Sequence, residues 1–406
     1  MFRATKTQAS GRLLLVAATW LGVAGFAVPA DAQETREEEI AKKQAEKAKT
    51  AAPYVPNKYE AVMARIESAF ASPPSGFYPA FDSIYPGGGF RAGVGFRQFY
   101  ARNAVWDIVG LYSIKNYKKI EVGTRTPWDG RGPVFFGVRA GWLDAPEVSY
   151  FGLGPDTVSD VKANFGAEQG FAGLTLAFRP STWFRIGGDV AYEDFKTKEG
   201  AGSDPSIETI FDPITAPGLG SSPTYIHSQA EAAIDWRPSA GYARSGGFYG
   251  LTFHDYTDLD DTFSFSRLDG EIIQHLPILR ENWVISLRGR VQTTLDDNDI
   301  VPYYMMPYLG SGTTLRAYTT GRFRDRHSLL TSAEFRWIPN RVGLDMAIFY
   351  DAGKVADRLE DLDFNDLATN WGIGARFHGP STTILRIEGA KSSEGWNLVF
   401  ATSAAF

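Results

Sequence analysis

The sequence contains no cysteine, which excludes disulfide staples and thiolate metal sites and leaves the redox compartment open. It also has no excess of positive charge. Lys and Arg number 41 against 47 Asp and Glu, a net charge of −6, so there is no electrostatic footprint for nucleic acid. Beyond the N-terminus no apolar run approaches the roughly 20 residues that a transmembrane helix needs. Histidines are few: His227, His254, His275, His327 and His378. The pairs His227–Ser228 and His254–Asp255 are sequence neighbours, and on a strand neighbouring side chains point to opposite faces. They are therefore read as incidental, and no enzyme, metal or cofactor is expected. Two acidic clusters, Asp258, Asp260 and Asp261, and Asp296, Asp297 and Asp299, carry the ligand type calcium uses, but solvated loops explain them as well and are the preferred reading. Gly87-Gly88-Gly89 opens no helix, so no phosphate cradle is implied.

What the chain does have is 14% aromatic residues and 42 glycines alongside a mean hydropathy of −0.21. A transmembrane β-barrel gives this mixture because lipid-facing and lumen-facing residues alternate and the average stays polar. At the N-terminus, Arg3, Lys6 and Arg12 precede an uncharged stretch from Leu13 to Val28 and then Ala30-Asp31-Ala32. This pattern reads as an export signal over 1–32, with Gln33 as the new terminus. Residues 33–75 form a charged periplasmic leader. Its first part, Glu34 to Ala52, has too few large apolar residues for a core. Past Pro53 and Pro56, Asn57 looks like a cap for a short amphipathic helix carrying Tyr59, Val62, Met63, Ile66 and Phe70.

From residue 76 to 406 the chain alternates in strand-like stretches broken by turns. Trp283, Ile285, Leu287 and Val291 oppose Ser286, Arg288, Arg290 and Gln292. Phe184, Ile186, Val190 and Tyr192 oppose Arg185, Asp189 and Glu193. Trp371, Ile373, Ala375 and Phe377 oppose Arg376 and His378, and Leu385 and Ile387 oppose Arg386 and Glu388. A soluble sandwich also alternates. An export signal, with aromatics recurring near strand ends, favours lipid instead. Long links near 142–162, 195–224 and 294–326 are expected outside the cell, and short turns such as those at Arg179–Thr182 and Leu276–Pro277 in the periplasm. Antiparallel closure with both ends in the periplasm needs an even number of strands. With a first strand at Gly76 to Ile84 the total is about sixteen.

The most informative stretch is 309–339. It opens with glycines and threonines, presents Arg316 between Leu315 and Ala317-Tyr318, passes a charged run from Arg322 to Arg326, and then alternates, with Glu334 and Arg336 on the polar side. In the following strand Asp345 and Asp351 share the polar side. If both polar faces look into one enclosed space, Glu334 and Asp351 are carboxylates suited to a guanidinium fork, and Arg316 is the candidate to supply it. The alternative is a solvated loop arginine with coincidental partners.

The ordered strings LGSGTTLRAY (309–318), RFRDR (322–326), EFRWIP (334–339) and FYDAG (349–353) resemble the barrel domain of the BamA/TamA superfamily, the bacterial surface antigen family of Gram-negative outer membranes. The resemblance covers the barrel, and these motifs are its sharpest part. It implies an all-β, antiparallel transmembrane barrel whose arginine loop enters the lumen. Arg316 and Tyr318 would stand at the loop tip, and Glu334 and Asp351 would receive the arginine. Ala317 stands where the family has glycine. The terminal strand, with Trp396, Leu398, Phe400 and the final Phe406, resembles the C-terminal signal by which outer-membrane barrels are recognised for assembly.

By the same resemblance the expected function is outer-membrane biogenesis, with protein insertion, assembly or translocation through a lateral seam between the first and last strands. The partners implied are outer-membrane lipid and lipopolysaccharide, the barrel-assembly machinery for the chain's own insertion, and unfolded outer-membrane protein clients or a separate periplasmic partner. Characterised members receive clients through POTRA modules; residues 33–75 are too short and polar for one, so a member without them is expected. The alternative is a plugged pore or structural surface barrel without insertase activity.

Overall fold

Residues that alternate apolar and polar along 5 to 19 positions can satisfy both faces in a sheet, and they form one here. The computed structural model describes residues 75–406 apart from 102, 128–131, 280–281, 297–299, 340–342 and 380, together with 58 and 61. The chain divides after Pro56, and the described residues belong to the unit Asn57–Phe406. The expected export signal, most of the leader and its amphipathic helix lie outside the described residues, as do Asp297 and Asp299.

The strands are β1 (Gly76–Ala80), β2 (Arg91–Ala101), β3 (Ala104–Ser113), β4 (Lys118–Thr126), β5 (Val134–Tyr150), β6 (Ala163–Ser181), β7 (Phe184–Glu199), β8 (Thr224–Asp235) and β9 (Gly246–Asp258). There follow β10 (Phe265–Ile278), β11 (Trp283–Thr294), the two-residue pieces β12 (Tyr308–Leu309) and β13 (Phe323–Arg324), then β14 (His327–Trp337), β15 (Leu344–Ala356), β16 (Ala368–His378), β17 (Thr383–Ser392) and β18 (Gly395–Ala401). A one-turn helix, α1 (Ile207–Ile210), lies in the β7–β8 connection. All but β12 and β13 form a 16-stranded sheet in chain order from β1 to β18, antiparallel throughout. This is the strand order of an antiparallel β-barrel, with β1 and β18 as its end strands.

Its faces are inverted relative to a soluble protein. Trp371, Ile373, Ile348, Trp396 and Leu398 are all more than half exposed, whereas Arg316, Glu334, Asp351, Arg376, Arg386 and Glu388 are buried. Apolar side chains turned outward and charges turned inward suit lipid on one side and a polar lumen on the other. The sheet curls so that distant strands meet. In the β8–β9 connection the Gly241 carbonyl accepts a 3.0 Å hydrogen bond from the Thr383 backbone N–H. On the long-loop side the Gly154 N–H donates to the Arg324 carbonyl at 3.0 Å.

Some boundaries differ from the sequence reading. Arg179–Ser181 and Leu276–Pro277 lie within β6 and β10, with the turns just beyond them. β1 stops at Ala80, and β18 stops at Ala401, paired with Arg386, so Phe406 is not on a strand.

Candidate functional site

The arginine loop between β11 and β14 is built by its own hydrogen bonds. β12 and β13 pair through Tyr308–Arg324 and Leu309–Phe323, making a neck. Gly310, at φ +95°, turns the chain above it, and its N–H donates to Thr314 Oγ1 at 3.1 Å. The Gly321 N–H returns to the Gly310 carbonyl at 2.9 Å. Leu309, Leu315, Tyr318 and Phe323 pack on Leu330 and Val355 of β14 and β15. An apolar underside seats the loop on the wall, and Arg316 leaves from its tip.

Arg316 is 1% exposed and spends its whole fork on carboxylates. Nε and Nη2 donate to Asp351 Oδ2 and Oδ1, both at 2.9 Å. Nη1 donates to Glu334 Oε2 at 3.2 Å and to Glu388 Oε1 at 3.2 Å. Tyr318 donates to the Thr369 carbonyl at 3.2 Å. The structure therefore brings Arg316, Glu334 and Asp351 into one cluster, with Tyr318 anchored beside it.

Four further residues complete the cluster and were not singled out by sequence reasoning. Arg376 of β16 forks onto Glu334, and its Nη2 donates to Glu388 Oε1 at 3.0 Å. Arg386 of β17 reaches Glu388 Oε2 at 2.7 Å and the Gly312 carbonyl of the loop at 2.8 Å. Asn370 donates to Asp351 Oδ2 at 2.9 Å. Glu388 has space because Gly374 faces it: a Cβ there would lie 2.5 Å from Glu388 Cγ. The signal for Glu388, Arg386 and Arg376 was present as polar parity on the last strands, but nothing local tied it to a loop so far upstream.

Isolated charges at this burial would cost several kcal/mol each. The cluster is viable because every carboxylate meets at least one guanidinium. Its value is in fixing position rather than in net stability. The loop also reaches the last strand, where Asn397 Nδ2 donates to the Arg316 carbonyl at 2.8 Å. On the far side, Arg322 Nη1 donates to Thr157 Oγ1 at 2.6 Å and Nε to Glu394 Oε1 at 2.7 Å. Arg322 thus joins the β5–β6 connection to the β17–β18 turn.

The other candidates are arranged differently. His227 and His254 face each other at 3.1 Å, with Glu193 on His227 Nδ1 at 3.0 Å, while their sequence neighbours Ser228 and Asp255 belong to the opposite parity. His275 Nδ1 lies 2.8 Å from Ser286 Oγ, but its Nε2 has no partner, so no carboxylate orients it. Asp258 accepts from the Thr262 and Phe263 backbone N–H groups at 3.1 and 3.0 Å, closing its own turn. Trp396, Leu398 and Phe400 are exposed on the outer face of β18. Phe406 instead turns inward, 6.4 Å from the His275 ring and 5.8 Å from the Arg288 guanidinium.

Residues 232–396, which contain the whole cluster, match the family model of the Omp85 superfamily domain. That stretch is similar to an Omp85 superfamily domain. Solved Omp85-type barrels share its fold. BamA from Haemophilus ducreyi lacking POTRA domains 1-3 superposes with a TM-score of 0.59 at 13% identity, over 80% of this chain and 68% of that one. CdiB from Escherichia coli gives 0.53 at 10% identity over 80% and 61%. CdiB from Acinetobacter baumannii gives 0.50 at 11% over 76% and 55%. The chain thus spans less than two thirds of either CdiB. No curated protein sequence matches it. Omp85 barrels reside in the bacterial outer membrane.

Proposed function

We propose that this Omp85-type barrel takes part in outer-membrane biogenesis by offering the seam between β1 and β18 to a client strand or protein, while the arginine loop holds the C-terminal side of that seam in place. The observation that carries the reading is the end of the sheet. β1 and β18 are its two terminal strands, and no ladder joins them among the described residues. β1 has 5 residues and β18 has 7, against 17 in β5, so neither edge offers much to pair with. An unpaired edge in lipid leaves backbone groups unsatisfied, and that makes it a template for an incoming strand. Asn397 and Glu394, bonded to the loop, tether the β18 side. In this reading Arg316, Tyr318, Glu334 and Asp351 act as a lock, and clients reach the seam from the periplasm with or without a separate partner protein.

Because the chain has no cysteine, crosslinking pairs can be introduced without background. Cysteines near Phe81 and at Leu398, oxidised in outer membranes, should lock the seam and lower the levels of other outer-membrane proteins. Complete locking with unchanged protein levels and viability would sink the reading.

One observation favours a plugged pore instead: the loop's arginines are buried and bonded to both the β5–β6 connection and β15. Planar bilayers distinguish the two. Stable ohmic conductance that rises sharply in Arg316→Ala, with no assembly phenotype in the locked protein, belongs to the plug.

A further inference from the structure

A cavity of about 100 Å³ lies on the long-loop side, between the β1–β2 connection, the end of β5 and the arginine loop. Its lining includes Tyr85, Lys115, Glu147, Ser149, Thr320 and Arg324. Arg324 is the unusual member. It is 4% exposed, yet no carboxylate pairs with it among the described residues. Nη1 donates to the Tyr303 carbonyl at 2.7 Å, and the guanidinium lies 5.3 Å from the Tyr308 ring centroid. Nε has no partner. Nη2 borders Gly321, which also lines the cavity: a Cβ on Gly321 would stand 3.4 Å from it.

Every other arginine of the loop's buried network has a carboxylate: Arg316 has three and Arg322 has Glu394. A buried guanidinium without one is costly unless something anionic or polar meets it. Its backbone is fixed, since Arg324 pairs with Tyr308 and its carbonyl accepts from the Gly154 N–H, and the Tyr303 carbonyl holds Nη1. The remaining lining charges, Lys115 and Glu147, pair with each other at 3.2 Å and cancel. The cavity therefore keeps one net positive charge, surrounded by hydroxyl groups that can donate. It is many times larger than the roughly 10–15 Å³ that one water requires.

We propose that this cavity binds a small soluble oxyanion of the phosphate class, with Arg324 Nη2 as the charged donor and the lining hydroxyl groups completing its shell. A guanidinium N–H gives an oxygen of such an ion a charge-assisted hydrogen bond. Cations are repelled by the net charge, and an apolar ligand would leave the donors unmet. A bound ion would tie the β1–β2 connection to the arginine loop.

The test uses the full chain in detergent, titrated with inorganic phosphate against chloride at constant ionic strength. Binding heat and the midpoint of heat-modifiable unfolding are read together. The expected result is a saturable heat with an upward shift of the midpoint. Arg324→Gln should lose about tenfold or more in affinity and Arg324→Lys an intermediate amount. Lys115→Gln, a loop change that leaves Arg324 in place, should weaken binding about two- to fivefold, as should Thr320→Val. No saturable response up to about 10 mM overturns the proposal, as does an equal response in the wild type and Arg324→Gln. If Arg324→Gln does not fold, unchanged affinity in both Lys115→Gln and Thr320→Val overturns it.

Discussion

The Arg316 guanidinium lies 3.5 Å from the centroid of the Phe349 ring. Phe349 stands on β15 two positions before Asp351, so one strand supplies both the surface beneath the guanidinium and the carboxylate at its edge. The ring has room because its cross-strand neighbour is Gly372, where a Cβ would lie 2.4 Å from Phe349 Cζ. Stacking and forked hydrogen bonding together hold the group in one plane, which a lysine cannot reproduce.

Arg316→Ala should therefore release the loop and leave Asp351 with Asn370 alone among its side-chain partners. Breaking a buried pair typically costs about 3–5 kcal/mol, and water in the lumen reduces that here. The expected outcome is a lower midpoint of heat-modifiable gel mobility and new protease cleavage between residues 309 and 326. Arg316→Lys should fall between the two. Unchanged mobility and unchanged protease resistance would count against the lock.

Ala317 occupies the position of the family's glycine without backbone strain. The described non-glycine residues with positive φ are Asn116, Asp261, Leu279 and Asp366, and Ala317 is not among them. Its methyl group is buried against Phe349 and Ala390. Ala317→Gly should accordingly loosen the tip by about 0.5–1 kcal/mol, through the freer unfolded chain and the lost methyl contact. A stability gain on chemical unfolding would show that the position wants glycine after all.

Asp325, in the loop just before β14, has its carboxyl pushed up to about 6, first by burial and further by Asp357 nearby, against the opposing pull of the Arg326 N–H and guanidinium. A carboxyl raised above its ordinary value favours the protonated, neutral form in the folded loop. That contribution is complete below about pH 4 and is lost as pH rises through about 6, an effect of up to about 2–3 kcal/mol. The loop should be more resistant to opening at pH 5 than at pH 7.5, as read by hydrogen exchange corrected for the intrinsic rate. Asp325→Asn should flatten the difference.

The outward face gives a test of the membrane placement. Ile348 is 59% exposed near the middle of β15. An arginine there should cost about 2–4 kcal/mol if the residue faces the bilayer midplane. Folding into lipid vesicles measured by urea titration should register that loss, whereas a water-facing position would give almost none.

The strands were readable because their signal is local: a two-residue period needs only neighbours, and parity separated Glu334 and Asp351 from Phe335 and Tyr350. The even strand total followed from closure, because an antiparallel barrel with both ends in the periplasm needs an even number; the connections by themselves leave the first strand uncounted. What escaped the sequence depends on distance through space. Arg376 and Glu388 join Arg316 only once β16 and β17 are laid beside β14 and β15. The pairing of β12 with β13 is two residues long and carries no periodicity. The end of β18 at Ala401 reflects where its register with β17 runs out, and Phe406 then meets an aromatic and a cation on β10 and β11.

Every charge that contacts Arg316 or its carboxylates comes from β14 to β17 or from the loop itself, between Arg316 and Glu388. The first nine strands contribute none of them. They reach the loop through other contacts, from Thr157 to Arg322 and from the Gly154 N–H to the Arg324 carbonyl. The guanidinium–carboxylate cluster is thus a property of the C-terminal strands and their loop, and a graft that exchanges the first half of the sheet for another barrel's would keep every one of its charges.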